Sequence, residues 1–145
     1  NESGRHQRRP LALVTGATSG IGLAVARDLA ADHDLVLLAR TTTDLAELAS
    51  VLGEETGSRV RTCAVDLTDD EALAVAVGEL NLTRLDVLVN SAGVEAAGAL
   101  GELSPAQWRS VLDLDLVAVA HLTGLLLPAL RETIAQEYGI TDSAS

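Results

Sequence analysis

Three glycines at fixed offsets in Thr15-Gly16-Ala17-Thr18-Ser19-Gly20-Ile21-Gly22 lie between a short apolar run, Leu11 to Thr15, and an Ala-rich stretch from about Ile21 to Ala31. The apolar run reads as a buried strand and the Ala-rich stretch as a helix, so the chain turns sharply between them. Glycine permits positive φ in such a turn, lets the backbone approach a neighbour closely, and allows the helix to sit tight against the strand. A helix starting there aims its unbonded amides and the positive end of its dipole at whatever occupies the turn. The segment predicts a strand–turn–helix unit that takes a phosphate-bearing ligand.

The rest of the chain repeats the alternation. Strands are expected at Asp34 to Ala39, Arg59 to Val65 and Leu85 to Val89. A helix is expected from Thr41–Thr43 to about Leu52, ended by Gly53 and Gly57, and another from a capping box at Thr68-Asp69-Asp70-Glu71 to about Leu80. Ser104-Pro105-Ala106-Gln107 repeats the capping logic and opens a long helix to about Leu130, with Pro128 as a late kink or terminus. Strands alternating with helices predict parallel βαβ units. Residues 1–10 read as a flexible tail, 11–131 as the domain and 132–145 as an irregular tail.

Composition narrows the function. In 145 residues there are 10 basic and 21 acidic side chains, a net charge of −11. The pI is near 4.5. That sign is wrong for binding a nucleic-acid backbone or an anionic membrane. One Trp and one Tyr leave almost nothing to stack on bases. The stretch Val111 to Leu130 is apolar enough to raise a membrane span, but Asp113, Asp115 and His121 argue for a helix held between the sheet and a partner. The single cysteine, Cys63, reads as a buried, inert thiol of a cytoplasmic protein, and no metal site is expected.

The glycine spacing, TGxxxGxG, resembles the short-chain dehydrogenase/reductase family. Three further segments resemble it in order: Asp66-Leu67 after the third strand, Asn90-Ser91-Ala92-Gly93 after the fourth, and WRSVLDLDL from Trp108. The resemblance runs from Pro10 to about Arg131. It implies a Rossmann-like, doubly wound parallel sheet, four strands in the order 3-2-1-4 inside an α/β/α sandwich, representing the N-terminal part of the family's fold. It implies a nicotinamide dinucleotide held by Thr15, Gly16, Thr18, Ser19, Gly20, Ile21 and Gly22, with the adenine near Asp66 and Leu67 and the Asn90–Gly93 segment beside the cofactor. Arg40 ends the second strand where an acid would bind a ribose 2′-hydroxyl, so NADP(H) is favoured over NAD(H).

The chemistry that the resemblance implies is hydride transfer between nicotinamide and a carbonyl or alcohol. It uses a Tyr whose pKa a Lys four residues on lowers, a Ser that orients the carbonyl, and a helix Asn that falls here on Asp115. An unassisted Tyr, with a pKa of about 10, is a poor base at neutral pH. Every basic residue in this chain is Arg, Tyr138 is the only Tyr, and Asp142 stands four residues after it. Tyr138 also follows Asp115 too closely for the strand and loop that the family places between them. Asp115 is the one catalytic candidate. The chain is expected to be the cofactor-binding part of an oxidoreductase, inactive by itself, or alternatively a non-catalytic NADP(H)-binding or dimerisation module. Self-association through the long helix, 105–130, is expected, since the family commonly pairs it across a dimer.

Overall fold

The computed structural model describes residues 9–92 and 102–139. Four strands, β1 (Leu11–Thr15), β2 (Asp34–Ala39), β3 (Val60–Ala64) and β4 (Val87–Val89), form one parallel sheet in the order β3-β2-β1-β4. Helices α1 (Gly20–Leu29) and α2 (Thr42–Thr56) lie on one face. Helix α3 (Asp70–Leu80) and a long helical segment lie on the other. That segment comprises α4 (Pro105–Leu112), a π-helical turn (Asp113–Ala118) and α5 (Val119–Tyr138).

The two central strands explain the layering. Side chains alternate across a strand, so Ala12, Val14, Leu35 and Leu37 meet Ala26 and Ala30 at α1 and Leu45, Leu48 and Leu52 on α2. Leu13, Val36 and Leu38 face the other way, toward Leu73 and Val77 on α3 and Leu122 and Leu126 on α5. Burying one leucine side chain stabilises the fold by about 1.5–3 kcal/mol. Polar spacing along α1 and α2 would not reveal this two-sided burial, but the uninterrupted apolar runs of β1 and β2 do.

Several boundaries differ from the sequence expectation. Helix α2 continues through Gly53 and ends at Gly57, whose φ of 73° is the left-handed conformation that closes a helix. Helix α3 is capped by Asp69, which accepts from the Ala72 amide, because the Thr68 hydroxyl is engaged by Asp66 instead. Residues 132–138 are helical rather than an irregular tail: α5 runs past Pro128 to Tyr138, and its Thr133 is buried. Thr133 accepts the Leu85 amide at 2.7 Å and donates to the Ala129 carbonyl at 2.9 Å, which locks this stretch against the start of β4.

Arg9 belongs to the domain rather than to a tail. Its guanidinium donates to the carbonyls of Ala30 at 3.0 Å, Ala31 at 2.7 Å and Thr56 at 3.4 Å, joining the C-terminal ends of α1 and α2. A cation there complements both helix dipoles. Residues 1–8 of the expected tail lie outside the described residues. Cys63 is only half-buried, on the edge strand β3; burial pushes its thiol pKa up, Glu79 adds to this and Arg61 opposes it. It is therefore a protonated thiol at neutral pH.

The long helix is less enclosed than expected. Ala118, Leu122, Leu126 and Ala129 face the sheet. Leu112, Leu116, Val117, Leu127 and Ile134 remain exposed, and Leu116 is 62% exposed. By length and composition Pro105–Tyr138 could cross a membrane, and only 17% of its most apolar window is buried.

Candidate functional site

The C-terminal ends of the strands open onto a cleft of about 720 Å³, lined by five segments. The β1–α1 turn supplies Gly16, Thr18 and Ser19. The end of β2 supplies Leu38 to Thr41, the segment after β3 supplies Val65 to Thr68, and Ser91 and Ala92 follow β4. The long helix supplies the fifth with Ser110, Asp113 and Leu114. A cleft outside the carboxyl ends of a parallel sheet, where the strand order reverses, is the usual ligand site of such architectures.

The turn is built by steric necessity. Gly16 has a φ of +60°, and a Cβ there would stand 2.9 Å from the Ala92 Cα and amide nitrogen. Gly22 admits no side chain, since a Cβ would come within 2.1 Å of the Gly16 carbonyl oxygen. Gly20 needs only its positive φ of +56°, with open space around it. Thr15 is buried and holds the two sides of the cleft together. Its Oγ1 accepts the amides of Ser91 at 3.0 Å and Ala92 at 3.1 Å and donates to the Val89 carbonyl at 3.4 Å.

Helix capping divides the four helices that begin from loops. No side chain caps α1 at Ser19 or α2 at Thr41, and both residues line the cleft. Helix α3 is capped by Asp69, and α4 by a reciprocal capping box between Ser104 and Gln107. Among the described residues, the first-turn amides of α1 and α2 thus lack side-chain partners at the place where an anion would be held. Arg40 stands beside the start of α2 on the same wall. Asp66 accepts the Thr68 amide at 3.0 Å and the Thr68 hydroxyl at 2.7 Å. These bonds, with the nearby Arg40, hold its carboxyl below the usual carboxylate range against a small opposing effect of burial.

Of the residues singled out in the sequence, Gly16, Thr18, Ser19, Arg40, Asp66, Leu67, Ser91 and Ala92 line the cleft. Thr15, Gly20, Ile21, Gly22 and Asn90 do not; Thr15 and Gly22 shape it from behind, while Ile21 is 77% exposed. Gly93 lies outside the described residues, as does Asp142. Asp115 is exposed and does not line the cleft, so no buried charge has to be compensated there. Sequence reasoning missed Ser110 and Asp113. The signal was available: Ser110, Asp113 and Leu114 stand at i, i+3 and i+4, one face of a helix. Tyr138, at the far end of α5, is 70% exposed and away from the lining.

A family model described as short chain dehydrogenase matches residues 10–139. Nodulation protein G of Rhizobium sp. (strain N33) is 38% identical over 133 residues, which are 90% of this chain and 53% of that protein. L-Sorbose reductase from Gluconobacter frateurii, solved with NADPH and L-sorbose, superposes with a TM-score of 0.78 at 34% identity, over 84% of this chain and 48% of that one. An alcohol dehydrogenase from the archaeon Thermococcus sibiricus, solved with 5-hydroxy-NADP, gives a TM-score of 0.80 at 31% identity, over 86% of this chain and 54% of that one. The chain spans about half the length of the relatives and solved structures it matches.

Proposed function

The chain belongs to the short-chain dehydrogenase family, and we propose that it is the NADP(H)-binding part of an oxidoreductase acting on a carbonyl or alcohol. The observation that carries this reading is that two helix starts without side-chain caps and one arginine, Arg40, converge on a single cleft. Gly16 and Gly22 let the turn pack tightly against the segment after β4 and against itself, because a Cβ at either position would meet backbone. When bound, the dinucleotide supplies or accepts the hydride.

The residues of this chain bind and orient. Gly16, Thr18, Ser19, Gly20, Ile21 and Gly22 present the turn and the α1 amides to the pyrophosphate, as helix starts do for phosphate groups. Arg40 pairs with the 2′-phosphate, assisted by the open start of α2, and this favours NADP(H) over NAD(H). The relatives solved with NADPH and 5-hydroxy-NADP support that preference. Asp66 and Leu67 take the adenine end, and the segment after β4 passes beside the cofactor, its Ser91 and Ala92 held in place by Thr15. The family's proton-relay position falls on Asp115, which stands outside the cleft. No Lys is present to lower the pKa of a catalytic Tyr. The chain by itself therefore binds cofactor without turnover, whether within an enzyme or as a non-catalytic module.

We read residues 9–138 as one cofactor-binding unit, the uncovered apolar face of the long helix as the place where copies of the chain meet, and the protein as cytoplasmic. Calorimetric titration with NADPH and with NADH tests the central reading. Tighter binding of NADPH, with the preference reduced by Arg40→Asp, supports it; a folded, monodisperse sample that binds neither dinucleotide refutes it.

A further inference from the structure

Strand β3 ends the sheet, and part of its backbone points away from it. The Arg59 carbonyl accepts the Leu35 amide and the Val65 amide donates to the Ala39 carbonyl, both at 2.9 Å. Residues of a parallel strand turn their polar groups to alternate sides. The odd-numbered residues therefore serve β2, and Val60, Thr62 and Ala64 aim amides and carbonyls outward. Thr62 and Ala64 are exposed, so no described segment covers this edge. Such an edge is a template for another strand. Arg61 and Cys63, which pair with Val36 and Leu38, lie on the α3 face, where Glu79 stands close enough to act on the Cys63 thiol. Arg61 and Glu79 are both exposed and form no ion pair among the described residues.

We infer that this edge pairs with the same edge of a second copy of the chain, antiparallel about a twofold axis at Thr62. In that register Thr62 faces Thr62 and Val60 faces Ala64, so every outward amide and carbonyl of β3 meets a partner. The charges select the register. Arg61 of one copy falls opposite Cys63 of the other, on the side of Glu79, which brings an unpaired cation to an unpaired anion twice over. Arg59 falls opposite Val65. An axis at Val60 would set Arg59 against Arg61, and an axis at Ala64 would shorten the overlap. The net charge of −11 on each copy opposes the approach, but at about 0.15 M salt that repulsion is screened beyond about 8 Å, while the contact pairs are closer. This contact uses no residue of the long helix and stands apart from the cofactor reading.

The test places a single thiol on the edge of the full chain, whose only cysteine is Cys63. In a Cys63→Ser background, Thr62→Cys should form a disulfide-linked dimer at micromolar concentration in a mild thiol–disulfide buffer, since facing residues have Cα atoms about 5.5 Å apart. Arg59→Cys in the same background should stay monomeric under those conditions, its two copies being about 20 Å apart. Sedimentation of the reduced proteins supplies the second arm. Arg61→Glu and Glu79→Arg should each weaken association about five- to tenfold, and the double swap should restore it to within about threefold. Thr62→Pro should abolish association without loosening the ladder to β2, because that ladder does not use the Thr62 amide. Equal cross-linking at positions 59 and 62, or a double swap no tighter than its single variants, overturns the inference. So does a monomeric wild type with no cross-link at position 62, which would leave the edge and its two arginines to an acidic strand of another protein.

Discussion

The β1–α1 turn and the β4–α5 side meet the same sheet under opposite conditions. At the turn, strand β1 is hydrogen-bonded on both sides, its residues Ala12 to Val14 are fully buried, and glycine contacts leave no room for one added carbon. On the other side, β4 is a three-residue edge strand with every residue only half-buried, and the helix beside it keeps a row of apolar side chains in solvent. The first region is determined by contacts within the chain. The second is held by a narrow seam and one buried hydroxyl, Thr133. Tight backbone packing makes a region intolerant of change, whereas an exposed face tolerates it and is available for association.

The contrast breaks most severely at Gly22. Gly22→Ala forces a methyl group into the Gly16 carbonyl, and neither backbone can yield without displacing the turn. We expect more than about 3 kcal/mol of destabilisation by chemical denaturation, together with loss of dinucleotide binding. Gly20→Ala, with a similar φ but open space, should cost only about 1 kcal/mol. Equal effects at the two glycines would mean that backbone conformation, and not the close approach, is what the turn requires.

The long helix supplies the same contrast between its two faces. Leu122→Ala, on the buried seam, should cost about 3 kcal/mol by lost transfer energy and a residual cavity. Leu116→Ala, on the exposed face, should change monomer stability by less than about 0.5 kcal/mol. Denaturation at several protein concentrations separates the two contributions. A large, concentration-dependent effect of Leu116→Ala would show that the exposed face is covered in solution, and would sharpen the association proposed above.

How much of this was legible in the sequence follows from how local each cause is. The turn and the alternation of strands with helices were readable because glycine sterics and apolar runs act over a few residues, whereas the strand order and the cleft residues Arg40, Asp66, Leu67, Ser91 and Ala92 came through the resemblance to the family. The extension of α5 was not, because Thr133 finds its partner in Leu85, 48 positions away. Arg9 escaped notice for the same reason, its acceptors being the distant carbonyls of Ala30, Ala31 and Thr56. The choice between Asp113 and Asp115 depends on the rotational phase of a helix that passes into a π-helical turn at Asp113, and motif alignment carries no information about that phase.

Two buried hydroxyls tie the regions together and rank next in effect. Thr15→Val keeps the shape but leaves the Ser91 and Ala92 amides without their acceptor, a cost of about 2 kcal/mol. Thr133→Val orphans the single Leu85 amide and should cost about 1.5 kcal/mol. Hydrogen exchange should show the Thr133 effect confined to β4 and α5. Faster exchange throughout β1 and β2 in that variant would contradict the separation of the two regions.

The smallest expected effect is a pH dependence at Asp66, where both regions border the cleft. The Thr68 hydroxyl and amide hold its folded-state pKa below the ordinary carboxylate value, with Arg40 assisting. A group with a depressed folded pKa binds protons more readily when unfolded, so its stabilising contribution is present above the unfolded pKa of about 3.9 and is lost as pH falls through the lower folded value. Solvent screening around this exposed side chain limits the contribution to about half a kcal/mol. Asp66→Asn should therefore flatten the acid limb of the stability–pH curve slightly while leaving stability between pH 6 and 8 within about half a kcal/mol of the wild type. A larger loss at neutral pH would show that the Asp66–Thr68 turn also supports the start of α3, linking this part of the cleft to the packing of the helix beside α5.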